Sequence, residues 1–354
     1  MEPRLQRIVL IGTLVLVSCT GAGSQPPSPA QVAHTPQQSN TTALLIAVSA
    51  VNDSVVWVSG SGGTVLHTVD GGATWIAGKV PGADSLQFRD VHALDASRAW
   101  VLSIGPGPNS RIYYTGDAGV TWTLQYTNQD PDAFYDCFGF WDAQRAIVVG
   151  DAVKGHTGIL TTDDGGLHWN ATPAATTPAA PGGEGSFAAS GTCLVTGAGG
   201  RAWIVAADSI RSRVILSGDY GRTWDSITLP LTTRAGSGAQ SIAFRDAKLG
   251  ISLGGGTTAK LGDDNVALTA DGGFTWALKG RLPFTSGAWG GVYVPGTKQP
   301  TVVAVGPGGA AWSRDDGARW ITIDSLNYWS VGFASPNAGW AVGTRGKITK
   351  LSGF

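Results

Sequence analysis

Charge is scarce in this sequence. Only 14% of its 354 residues are Asp, Glu, Lys or Arg, and 24 basic against 25 acidic side chains leave a net charge of −1. So balanced a chain lacks the basic face that nucleic acid or another polyanion needs, and no nucleic-acid partner is expected. Methionine is nearly absent: the single one is the initiator. Sustained 3.6-residue hydrophobic periodicity is missing beyond the amino terminus, which argues against a helical protein. Cysteine is sparse as well, with three in all. Beyond Cys19, the pair Cys137 and Cys193 and five scattered histidines show no zinc-ligand spacing, so no metal and no cofactor is expected. Glycine, by contrast, is abundant at 52 residues, as in a turn-rich β protein.

The amino terminus carries Arg4 and Arg7, an apolar run from Ile8 to Val17, then Ser18-Cys19. A basic start, a short apolar stretch and a small residue at the cut describe a secretory signal over 1–18. The run is too short for an ordinary spanning helix. Leu16-Val-Ser-Cys19 resembles a bacterial lipobox, which implies lipidation of Cys19. Residues 19–30, rich in Gly, Ser and Pro, then read as a lipidated Cys and flexible tether. No Asp follows Cys19. The chain is therefore expected in the bacterial cell envelope, at the periplasmic face of the outer membrane or the cell surface, touching membrane through its lipid alone.

One stretch recurs. Thr68-Val-Asp-Gly-Gly-Ala-Thr-Trp75 has counterparts ending at Trp122, Trp169, Trp224, Trp276 and Trp320, spaced 47, 47, 55, 52 and 44 residues apart. Spacing of this kind marks a repeat architecture. Within each octet the aspartates Asp70, Asp117, Asp164, Asp219, Asp271 and Asp315 are expected to bond backbone N–H groups of a tight turn. His168 replaces the usual Thr of the third octet and reads as a rim substitution rather than a ligand.

Before each octet come an apolar strand, a turn containing Asp or Asn, a strand often carrying Trp, and a third short strand. Four antiparallel strands (a to d) per repeat describe a β-propeller blade. Counting strand a gives seven blades, beginning near Leu45, Phe88, Phe134, Ser186, Ser241, Gly291 and Ser330. The seventh lacks an octet and an outer strand, and Gln31–Gln37 is expected to supply that strand. The sequence thus predicts an all-β, single seven-bladed propeller over 31–354, closed by its N-terminal strand and monomeric. Trp57, Trp100, Trp203 and Trp340 recur in strand b and read as packing between blades.

The octets resemble the Asp-box (BNR) repeats of sialidases and other secreted propellers. Over residues 43–354 the rhythm is similar to the photosystem II assembly/stability-factor-like family, whose propellers act as binding and assembly factors. Phe134–Gly155 and Pro181–Thr192 resemble its bacterial, non-photosynthetic branch. The resemblance implies a non-catalytic, assembly-factor-like binding protein. A sialidase is not indicated, since its Phe-Arg-Ile-Pro opening motif is absent.

Alternating strand directions put the a–b turns and octets on one face, called the bottom, and the d–a and b–c loops on the top. Top-face binding candidates are Arg89, Asp90, Tyr135, Asp136, Asp151, Glu184, Trp289 and Trp329. Arg245, ending a strand a, falls at the bottom and is set aside. The expected partner is a protein client or a carbohydrate at the top face, with the d–a insertion Ala171–Gly185 the most distinctive loop. The alternative is a carbohydrate-active enzyme, glycosidase- or sialidase-like, using Asp136, Asp151 and Glu184 at the channel mouth. Cys137 and Cys193 fall near adjacent inner strands. A bridge between them stays open, with two buried free thiols the favoured reading.

Overall fold

The computed structural model describes Met1 and residues 32–354. The signal, Cys19 and the tether lie outside the described residues. Seven four-stranded antiparallel sheets form a seven-bladed β-propeller. Blade one shows the pattern: strands a to d are Leu45–Ala50, Val56–Gly60, Thr64–Thr68 and Ile76–Lys79. Strands b and c are buried along their whole length and strand d is exposed. The core is accordingly divided among the interfaces between blades. Trp57 and Val65 of blade one pack with Val91, Val101 and Tyr113 of blade two.

The strand-b tryptophans serve these interfaces. Trp57 Nε1 donates to the carbonyl of Asp95, in the a–b turn of blade two (3.0 Å). Trp203 Nε1 donates to Gly272, in the octet of blade five (2.7 Å). A buried indole N–H needs an acceptor, and for these two the bottom-rim turn of the next blade supplies it, whereas Trp100 Nε1 donates to Gln125 of its own blade (2.9 Å).

Closure is by the N-terminal strand, Ala33–Gln37, which pairs antiparallel with Ile348–Ser352 of blade seven. It works as a strand d. Gln37 Oε1 accepts from Trp75 Nε1 (3.0 Å) and its Nε2 donates to the carbonyl of Gly71 (3.3 Å), both in the octet of blade one. Gln125, in strand d of blade two, likewise donates to Gly165 of the next octet (3.3 Å).

Each octet is one hydrogen-bonded turn. In the first, Gly72 N–H donates to Thr68 Oγ1 (2.9 Å), while Thr74 donates its N–H (2.9 Å) and hydroxyl (2.6 Å) to Asp70. Two successive residues adopt positive φ, and the second is always glycine, as with Gly71 and Gly72 at 71° and 85°. The first is Ala118, Tyr220 or Asp316 in other copies. His168 and Arg319 replace the Thr and still reach the Asp, at 2.7 and 2.8 Å.

Two expectations are corrected. Strand a of blade four is Leu194–Gly197, not a strand from Ser186, because Ser186–Cys193 bends away towards the channel axis. That path also overturns the free-thiol reading. It returns Cys193 beside the inner strand of blade three, with its Cα 6.2 Å from that of Cys137, and the two form a disulfide.

Candidate functional site

Strand a carries a β-bulge near its start in blades one, two, three and five, at the second residue in the first three and at the fourth, Gln240, in blade five. A bulged residue opposes nothing on the neighbouring strand, so its side chain is re-aimed. Arg89, Asp136 and Gln240 stand at these positions, near the top of the channel. Asp151 occupies a second bulge, in strand b of blade three, where Gly150 pairs with Gly158 and Ala152 with Thr157. The paired bulges bring Asp136 and Asp151 together. Burial, then the charge of Asp151, pushes the Asp136 carboxyl well above its usual range, so it holds a proton. Burial raises Asp151 to about 6, while the hydrogen bond from Asp136 and the N–H of Ser186 hold it back.

The insertion before blade four crosses the channel. Its Ala188 carbonyl accepts from Arg89 of blade two (2.8 Å). Ser190 Oγ donates to the carbonyl of Trp289 before blade six (2.7 Å), and its own carbonyl accepts from Ser330 of blade seven (2.8 Å). Thr192 donates to Ser241 of blade five (2.8 Å). Gly191 lies so close to Asp90 that a Cβ would fall 2.3 Å from its Oδ1, so only glycine fits. Ser190–Thr192 therefore stops the channel from above.

Over this crossing sits a half-buried cluster. Trp289 and Trp329 meet edge to face at 4.7 Å, Phe187 approaches Trp289 at 6.2 Å, and the Arg89 guanidinium lies 5.2 Å from the Trp329 ring. Trp289 Nε1 is buried without a hydrogen-bond partner. Of the expected top-face residues, Arg89, Trp289 and Trp329 are thus brought together. Phe187 joins them unannounced; as an aromatic within the Gly-rich insertion it was the available signal.

The other candidates are occupied. Glu184 forms an ion pair with Arg213, the two side chains 2% and 7% exposed. Asp90 accepts the N–H groups of Val91 (2.8 Å) and Phe138 (2.9 Å), tying blade two to blade three. Burial raises its carboxyl well above the usual range. Tyr135 is buried between blades two and three against Tyr126, and so is not a surface group.

A cavity of about 700 Å³ lies beneath the crossing and reaches the bottom face. Asp90, Ser190 and Thr192 line its inner end; Arg245 and the blade-six turn Pro295–Pro300 line its mouth. Phe140, Phe244 and Phe333 line its walls. His92 also lines it, stacked on Phe140 at 4.3 Å, and burial lowers its pKa to about 4. The sequence reading set this face aside. Asp136 and Glu184 are instead buried, at 2% and 3% exposed over the whole residue.

No family model matches the chain, and no curated protein matches its sequence. Solved structures do resemble it. YCF48 bound to D1 peptide is 16% identical with a TM-score of 0.62, covering 92% of this chain and 98% of that one. YCF48 from Cyanidioschyzon merolae is 17% identical with a TM-score of 0.65, covering 90% and 99%. The GH74 xyloglucanase from Xanthomonas campestris is 15% identical with a TM-score of 0.63, covering 90% of this chain and 53% of that enzyme. The likeness is one of fold. It joins a binding propeller and a glycosidase to the same architecture, so function rests on the chain's own side chains.

Proposed function

We propose that this chain is an exported, lipid-anchored propeller that acts as a non-catalytic binding or assembly-factor-like protein, holding a protein client at its top face. The observation that carries the reading is the state of the three carboxylates a glycosidase would use. Such an enzyme needs two carboxyl groups flanking one substrate in an open cleft. Glu184 is instead buried against Arg213, and Asp136 and Asp151 bond each other. Asp136 and Glu184 are both buried from solvent. By contrast, Arg89, Trp289, Trp329 and Phe187 form the half-exposed aromatic and arginine surface on which protein partners are commonly held. YCF48 bound to D1 peptide is a precedent for peptide binding by a propeller of this fold.

The anchor belongs to the same proposal. Lipid on Cys19 and the 19–30 tether would hold the propeller to a bacterial envelope membrane. The Cys137–Cys193 disulfide supports an oxidising compartment. The test places a photo-crosslinking residue at Phe187 or Trp329, and separately at the bottom-rim Val120, in the full chain in its own membrane. A discrete adduct from the top positions alone is the expected result. A glycoside panel run beside it should show no turnover; turnover lost in Glu184→Gln would overturn the reading in favour of the carbohydrate-active alternative.

A further inference from the structure

The chamber beneath the channel crossing has no part in the top-face reading. Its volume of about 700 Å³ lies within the range of small-molecule sites. Three aromatic rings, Phe140, Phe244 and Phe333, stand on its walls, and Arg245 and Lys298 stand at its mouth.

The hydrogen bonding at that mouth is lopsided. The acids there are engaged. Asp316 Oδ1 accepts the hydroxyl of Tyr293 (2.9 Å), and Asp246 caps its own turn by accepting the N–H groups of Lys248 (2.8 Å) and Leu249 (2.9 Å). Arg245 approaches these acids only at 3.6 and 4.0 Å, beyond hydrogen-bond distance, with its side chain 32% exposed. Lys298 is exposed and forms no ion pair among the described residues. Spare donors therefore ring an aromatic cavity, and what complements them is a charged acceptor on an apolar body.

We propose that this chamber binds a small amphipathic carboxylate, its apolar body against Phe140, Phe244 and Phe333 and its carboxylate on Arg245 and Lys298. The site lies at the opposite end of the channel from the Arg89–Trp329 cluster, so its loss leaves client binding untouched.

Anilinonaphthalene sulfonate, an amphipathic anion that fluoresces on entering apolar surroundings, is a suitable probe of the full chain. Saturable binding at one site is expected, with octanoate displacing the probe and octanol failing to. Lys298→Glu should weaken octanoate binding about tenfold, the effect of losing one moderately screened charge contact. Its melting temperature should stay put, because Lys298 has no partner to lose. Arg245→Gln should weaken binding likewise, and Phe274→Ser, on the octet of blade five, should leave it unchanged. Absence of saturable binding, equal displacement by octanol, or unchanged octanoate affinity in Lys298→Glu would each overturn the proposal.

Discussion

Replacing both Cys137 and Cys193 by alanine removes the disulfide that ties the inner strand of blade three to the chain entering blade four. The bridge closes a loop of sequence separation 56. In the chain-entropy description, a loop of that length costs the unfolded state about 4 kcal/mol of freedom at room temperature. Both residues are fully buried, so truncation also leaves small voids on the two sides. For the roughly 320 residues of the propeller, the usual unfolding entropy converts about 4 kcal/mol into a fall of about 6 °C in melting temperature. Calorimetry of wild type and double variant measures that fall. Peptide mapping after alkylation without reductant tests the premise, and the Cys137 and Cys193 peptides should emerge as one disulfide-linked pair carrying no alkyl group. Alkylated peptides would refute the bridge. A double variant melting with the wild type, despite a mapped bridge, would refute the loop-entropy reasoning.

Glu184→Ala should cost about 3 kcal/mol, since it leaves the Arg213 guanidinium buried without its partner; chemical denaturation reads this, and a neutral outcome would mean that the pair is open to water. Two buried groups oppose each other between about pH 4 and 6: burial lowers His92 to about 4, so its contribution to stability is lost as pH falls, whereas that of Asp151 is lost as pH rises. Hydrogen bonds from Thr74, His168 and Thr275 lower Asp70, Asp164 and Asp271 to about 2, so their contribution is present above the unfolded carboxylate range and fades as pH falls towards 2. Asp151, raised to about 6, works in the other direction: the folded state holds the extra proton, and that stability is lost as pH rises through 6. Removing the Asp151 contribution by Asp151→Asn should make the melting temperature climb more steeply from pH 4 to 7 than in the wild type; parallel curves would contradict this assignment. Deleting residues 20–42 removes the strand that pairs with Ile348–Ser352 and the Gln37 bonds to the first octet, so the melting temperature should fall clearly. An unchanged value would show that the ring holds without its N-terminal closure.

The repeat register was legible in the sequence because an octet turn is a local object. A hydroxyl, a carboxylate and a glycine within five residues satisfy each other's hydrogen bonds wherever the turn is placed, and the same eight-residue pattern folds alike six times. Strand alternation and the missing outer strand of blade seven followed from the same count, as did the face on which every turn lies. What the chain does across its axis was not legible. The crossing by Ser186–Thr192, the Cys137–Cys193 bridge and the chamber with Arg245 at its mouth join residues from different blades, and the Glu184–Arg213 pair joins an insertion to the blade it precedes. Their partners are set by how seven wedges converge and by bulges that re-aim one side chain each, and neither leaves a periodic mark in the sequence. The sequence alone therefore determined the ring, its blade count and its seam. Only the tertiary structure decided which side chains stand free to bind, because burial and spare hydrogen-bonding groups arise only when distant strands meet.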